Sequence, residues 1–170
     1  IMSQSKYDEY DEVLKSLLDE GIIDSYPIGK EDTLAALVKG ADAFIGVSAP
    51  NIVTVDMVRS MAANPIVFAM ANPVPEIMPD LALHAGAAVI GTGRSDFPNQ
   101  INNVLVFPGL FKGVLAAKLK TITMDLKLEV SKTLAGLIAD EDLRSDYILP
   151  DSFDKRVTPL IVQAIQAYHP

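Results

Sequence analysis

Three apolar runs constrain this chain more than anything else in it: Ala43-Phe44-Ile45-Gly46-Val47, Ile66-Val67-Phe68-Ala69-Met70 and Ala87-Ala88-Val89-Ile90. Each is continuous instead of alternating, the pattern of strands buried on both faces. The gaps between them have room for one helix each. The first gap predicts a helix over Thr54–Ala63 with Thr54 as N-cap, and the second a shorter one over Pro79–Ala85 stopped by Gly86. Strands alternating with helices imply parallel pairing and right-handed crossovers. The expected class is α/β: a Rossmann-like parallel sheet, in part, with helices on both faces and a helical C-terminal extension.

The flanks read as helices. Asp8–Glu20 carries Val13, Leu14, Leu17 and Leu18 at helical spacing before Gly21, and Glu31–Lys39 turns Leu34, Leu37 and Val38 inward. Between them, Ile22–Ile28 is a short strand or connector broken by Pro27. Asn99–Lys118 predicts two helices with a bend at Pro108-Gly109. Thr123–Ile138 predicts a long amphipathic helix with Leu126, Val130, Leu134 and Leu137 on one face, and Asp140–Pro150 a connector. Phe153–Tyr168 predicts a last helix, whose Pro159 fits only within the first turns.

Composition removes several function classes. The chain has no cysteine, which excludes disulfides and thiolate chemistry and fits a reducing compartment. A net charge of -8 with scattered Lys and Arg argues against a nucleic-acid partner. No stretch reaches the roughly 18 apolar residues of a membrane span, and residues 1–6 lack the apolar core of a secretion signal. No membrane partner and a cytoplasmic setting are therefore expected. His-Glu-x-x-His, His-Cys clusters and Gly-x-Ser-x-Gly are all missing, so neither a metal site nor an esterase nucleophile is expected in this chain. His84 and His169 read as structural or solvent-facing.

In a doubly wound sheet, ligands bind beyond the carboxyl ends of the strands. After the first run, Gly46-Val47-Ser48-Ala49-Pro50 is small enough for a flat ring or ribose to approach the backbone, or is an ordinary turn. After the second, Ala71-Asn72-Pro73-Val74-Pro75-Glu76 holds an amide that offers donor and acceptor side by side, or caps the turn before Pro73. After the third, Gly91-Thr92-Gly93-Arg94-Ser95-Asp96 has Asp96 where a dinucleotide fingerprint needs its third glycine, so it is not a pyrophosphate loop. Arg94 and Asp96 either pair with each other or face a substrate. Asn99-Gln100-Ile101-Asn102-Asn103 then places four amides in five residues, for ligands or for caps.

Together these segments resemble malic enzyme of the short bacterial type. The resemblance is carried by Gly40 to Pro50, Phe68 to Glu76, Gly91 to Val104 and Phe107-Pro108-Gly109, in order and spacing. It runs from about Glu31 to Pro170, which implies an N-terminal helical segment over residues 1–30 and the C-terminal part of an NAD(P)-binding domain, with its helices, over residues 31–170.

That resemblance implies oxidative decarboxylation of L-malate to pyruvate and CO2, with NAD or NADP and a divalent Mg or Mn ion. Val47, Ser48 and Ala49 would pass beneath the cofactor's ribose. Asn72 would border nicotinamide and malate, and Asn102 and Asn103 would hold malate's carboxylate and the nicotinamide end. No catalytic residue and no metal ligand is transferred to this chain, because the family's base, tyrosine, metal-binding acids and Gly-x-Gly-x-x-Gly turn belong upstream. The chain thus reads as a C-terminal portion, inactive alone, of a protein expected to be a homo-oligomer. The alternative is a non-catalytic nucleotide-binding or assembly fragment that needs another polypeptide.

Overall fold

The computed structural model describes residue 8, residues 10–23 and residues 33–168. The expected connector over 24–28, the start of the second helix at 31–32 and His169 lie outside the described residues. Helix α1 spans Glu12–Asp19 and is capped by Asp11, whose side chain accepts from the Leu14 N–H. After it come α2 (Leu34–Val38), β1 (Ala43–Gly46), α3 (Val55–Ser60), β2 (Ile66–Ala69), α4 (Pro79–His84) and β3 (Val89–Thr92). A 3-10 turn at Asn103–Leu105 leads to α5 (Phe107–Ala116) and α6 (Met124–Ala135), and another at Asp140–Asp142 precedes α7 (Val157–Ala167).

The three strands form one parallel sheet in the order β1-β2-β3, with Gly46 opposite Ala69 and Ala69 opposite Thr92. All three carboxyl ends therefore finish level along one edge. On one face, Val67, Ala69 and Ile90 join Val38, Val58 and Ala82 from α2, α3 and α4 in a buried apolar cluster. On the other face Ile45 is 67% exposed and Ile66 38%. Burial on both faces, as the apolar runs suggest, is thus met along β1 by the described helices on one face only. A second apolar cluster, built from Leu110, Leu126, Val130, Val157, Ile161 and Ile165, lies wholly within α5, α6 and α7.

Thr54 caps α3 as its position predicts, accepting from the Met57 N–H at 3.2 Å. Several boundaries differ from the sequence expectation. Strand β3 starts two residues later and takes in Gly91 and Thr92, so the glycine is a strand residue and not a turn. A Cβ there would meet Ile101 Cδ1 at 2.6 Å and Phe68 Cδ1 at 3.0 Å, so close packing needs the missing side chain. Residues 99–102 are not helical. Pro108 lies in the first turn of α5, where its missing N–H costs nothing, so it starts that helix and makes no bend in it. Pro159 likewise occupies the first turn of α7, which begins four residues after Phe153.

Candidate functional site

The level strand ends open onto a cavity of about 460 Å³ that lies between the sheet and the α5–α7 unit. Val47 follows β1, Met70 and Asn72 follow β2, and Gly93 follows β3. Asn102, Asn103, Leu105, Leu134 and Leu149 line it as well. The cavity thus gathers Val47, Asn72, Asn102 and Asn103, residues 56 positions apart in sequence at the extremes: parallel pairing in register brings the β1 and β2 exits together, and the pairing of Asn99 and Ile101 with Thr92 brings the segment leading to Asn102 and Asn103 back beside β3. Ser48 and Ala49 are not among its lining residues and stand exposed beside it.

The amides differ in how free they are. Asn72 is exposed, precedes a cis peptide bond to Pro73, and makes no side-chain hydrogen bond with the described residues. Asn103 is equally exposed and unengaged. Asn102 is employed in the fold: its Oδ1 accepts from the Val104 N–H at 3.1 Å, capping the 3-10 turn, and its Nδ2 donates to the Gly93 carbonyl at 3.3 Å. Ligand and cap were equal readings for these side chains. The geometry gives Asn102 the cap and leaves Asn72 and Asn103 with open donors and acceptors.

Among the described residues no charged side chain lines the cavity. Arg94 is held aside by a two-pronged pair with Asp96, Nε to Oδ1 at 2.8 Å and Nη2 to Oδ2 at 2.7 Å. The same guanidinium donates to the Pro73 carbonyl at 3.4 Å and lies over the Phe97 ring. Hydrogen bonding to Asp96 raises the arginine above its ordinary value, and the arginine in return lowers the aspartate. Mutual pairing, one of the two sequence readings, is what these residues do. His84 ends α4, away from the cavity.

Two residues that shape the site were not singled out from the sequence. Glu76 is fully buried, and its carboxylate accepts from the Ser48 N–H at 2.8 Å, the Ser48 hydroxyl at 3.2 Å and the Ala71 N–H at 2.9 Å. Burial pushes its pKa up, but those donors together outweigh burial and hold it below its ordinary value. A signal was available: Glu76 is a lone acid among Val74, Pro75, Ile77 and Met78.

Asn99, buried and at φ +53°, is the second. Its Nδ2 donates to the Ile90 carbonyl at 2.9 Å and the Ser145 carbonyl at 2.8 Å, and its Oδ1 accepts from the Ile148 N–H at 2.9 Å. Nearby, Ser152 donates to Gln100 Oε1. These bonds fasten the 145–152 segment against β3 and set Leu149 in the cavity wall. Nothing in the local sequence distinguishes Asn99 from its three amide neighbours, because two of its three partners are 46 and 49 residues away.

Among the described residues no helix is long and apolar enough to cross a membrane, and no group of three or more His, Cys, Asp or Glu is placed to hold a metal ion.

The family model for the malic enzyme NAD-binding domain matches residues 23–164. The chain is 50% identical over 136 residues to the bifunctional malic/malolactic enzyme of Bacillus subtilis (strain 168), covering 80% of this chain and 33% of that protein. It is 47% identical over 139 residues to the NAD-dependent malic enzyme of Geobacillus stearothermophilus, covering 82% and 29%. The solved NAD-dependent malic enzyme of Thermotoga maritima superposes with a TM-score of 0.84 at 35% identity, over 98% of this chain and 42% of that one. The chain spans about a third of the length of the curated relatives it matches. With that match extending over most of its residues, and a three-stranded parallel sheet to carry it, the chain belongs to the malic enzyme family, within its NAD-binding domain.

Proposed function

We propose that this chain forms one wall of the nicotinamide and malate site in a protein that oxidatively decarboxylates L-malate to pyruvate and CO2 with NAD or NADP. The observation that carries the reading is the cavity at the strand ends, which presents the free amides of Asn72 and Asn103 between apolar surfaces. Such a lining suits a flat, uncharged ring bearing a carboxamide. When bound, the nicotinamide supplies the hydride acceptor. Asn72 and Asn103 orient it and the substrate, with Asn102 fixing the backbone between them and Val47 flanking the ring. Leu105, Leu134 and Leu149 keep water from the reacting face. Ser48 and Ala49 would border the ribose from the exposed loop after β1.

The described residues hold no group of three or more His, Cys, Asp or Glu to take the Mg or Mn ion that the family implies. We place the protein in the cytoplasm as a homo-oligomer, following the family resemblance. The test is malate-dependent reduction of NAD and NADP by the native gene product, with pyruvate measured alongside. Equal amounts of pyruvate and reduced dinucleotide support the reading, and reduction without pyruvate points to a dehydrogenase that does not decarboxylate. A second reading, a nucleotide-binding or assembly fragment, is favoured by one observation: the sequence contains no Gly-x-Gly-x-x-Gly turn. On that reading, calorimetric titration of this 170-residue chain with NAD gives weak binding and no turnover.

A further inference from the structure

Glu76 sits behind the cavity, on the side of the sheet that faces the helices, where a Cβ on Gly46 would lie 2.6 Å from its Oε1. Its two carboxylate oxygens reach different strand ends. Oε1 takes both donors of Ser48, the residue after Val47, and Oε2 takes the N–H of Ala71, the residue before Asn72. Its backbone carbonyl also accepts from the Val53 N–H at 3.0 Å, and the Pro75 carbonyl from the Asn51 N–H at 3.0 Å. Val47 and Asn72, which face the cavity, are thus each one peptide bond from a hydrogen bond to the same carboxylate.

No salt bridge neutralises Glu76 among the described residues, so its charge rests on N–H and O–H dipoles alone. Beyond charge, the arrangement supplies geometry: a planar carboxylate fixes donors from two strand ends at a set separation and angle. We propose that Glu76 is a positioning residue, which sets the distance between the β1 and β2 exits and so the placement of Val47 and Asn72 about the bound ring. It rests on the proposed nicotinamide and malate site for its consequence in turnover, and on the hydrogen bonds alone for its structural part.

Glu76→Gln tests it, because the amide keeps the volume but must turn one NH2 toward an N–H donor. Oriented to serve the two donors of Ser48, it abandons Ala71. In the native gene product, kcat for malate-dependent dinucleotide reduction is expected to fall about tenfold or more, with KM for malate moving by less than about threefold. Hydrogen exchange at the Ala71 amide should accelerate while that at Ser48 does not. An unchanged kcat, or one that falls only with the folded fraction in a thermal melt, overturns the proposal. If the variant does not fold, the unaltered protein still decides: an Ala71 amide that exchanges as fast as an open loop means that the carboxylate does not hold β2. A native gene product inactive on malate defeats the substrate reading instead, and the exchange at Ala71 then judges Glu76 separately.

Discussion

Gly109 on α5 faces Ile161 on α7 so closely that a Cβ on the glycine would lie 2.8 Å from the isoleucine's own Cβ. A Cβ is anchored to the backbone and has no rotamer by which to retreat. Helix propensity favours Ala over Gly by about 1 kcal/mol, whereas overpacking costs about 1–3 kcal/mol. The clash wins, so Gly109→Ala is expected to lower stability in urea denaturation. Gly113→Ala should cost less, because its nearest neighbour, at 2.7 Å, is the Cδ1 end of Ile165.

Asn99 gives a prediction of order. Asn99→Ala leaves the Ile90 and Ser145 carbonyls and the Ile148 N–H without their partner, at about 1 kcal/mol or more for each bond. Asn99→Asp keeps the acceptor for Ile148 but sets a carboxylate oxygen against the two carbonyls. It should therefore be the less stable of the two variants at pH 7, and should recover on acidification as the carboxyl becomes a donor. Paired denaturation curves at neutral and acid pH check both statements.

Glu76 makes stability depend on acid. Burial raises its pKa, the Ser48 and Ala71 donors more than offset this, and the folded value ends below the ordinary 4.5. A lowered carboxyl contributes stability that is fully present above its unfolded value and lost as pH falls through the folded one. The difference in stability between the unaltered protein and Glu76→Gln should therefore be flat above about pH 5 and shrink below the ordinary carboxyl value. A constant difference down to strong acid would show that the carboxylate is not held in its charged form.

The paired asparagines should separate by consequence. Asn103→Ala is expected to depress malate oxidation greatly and leave the melting temperature of the native gene product unchanged, since its side chain bonds to nothing in the described fold. Asn102→Ala should depress oxidation and also cost about 1 kcal/mol through the lost cap. Full turnover in both variants would remove them from the proposed site.

The sheet was legible because its cause is local: apolar runs separated by capped helices leave few topologies open, and Thr54 and Gly86 fell in their expected places while each run supplied one strand, β3 lying two residues further on. Val47 and Asn72 were legible as cavity residues for the same reason, since strand ends become neighbours once the strands are parallel, whereas Asn102 and Asn103 were reached only through the family resemblance. Glu76 carried a signal as a lone acid among apolar residues, but its partner Ser48 and two partners of Asn99, Ser145 and Ile148, lie across the fold, so neither role could be read locally. The bend expected at Pro108-Gly109 failed on one point of backbone chemistry. A proline without an N–H starts a helix as readily as it interrupts one, and only the non-helical 99–102 segment shows which.

The cavity has two landlords. Its strand-end wall is set by the sheet and α2–α4, while Val106 and Leu134 belong to the separate α5–α7 packing. A change of bulk at Leu134 can therefore deepen or fill the cavity without disturbing a strand, and a change under β2 can retune the amides without loosening the helices. The depth of the cavity and its strand-end lining therefore rest on two different bodies of packing.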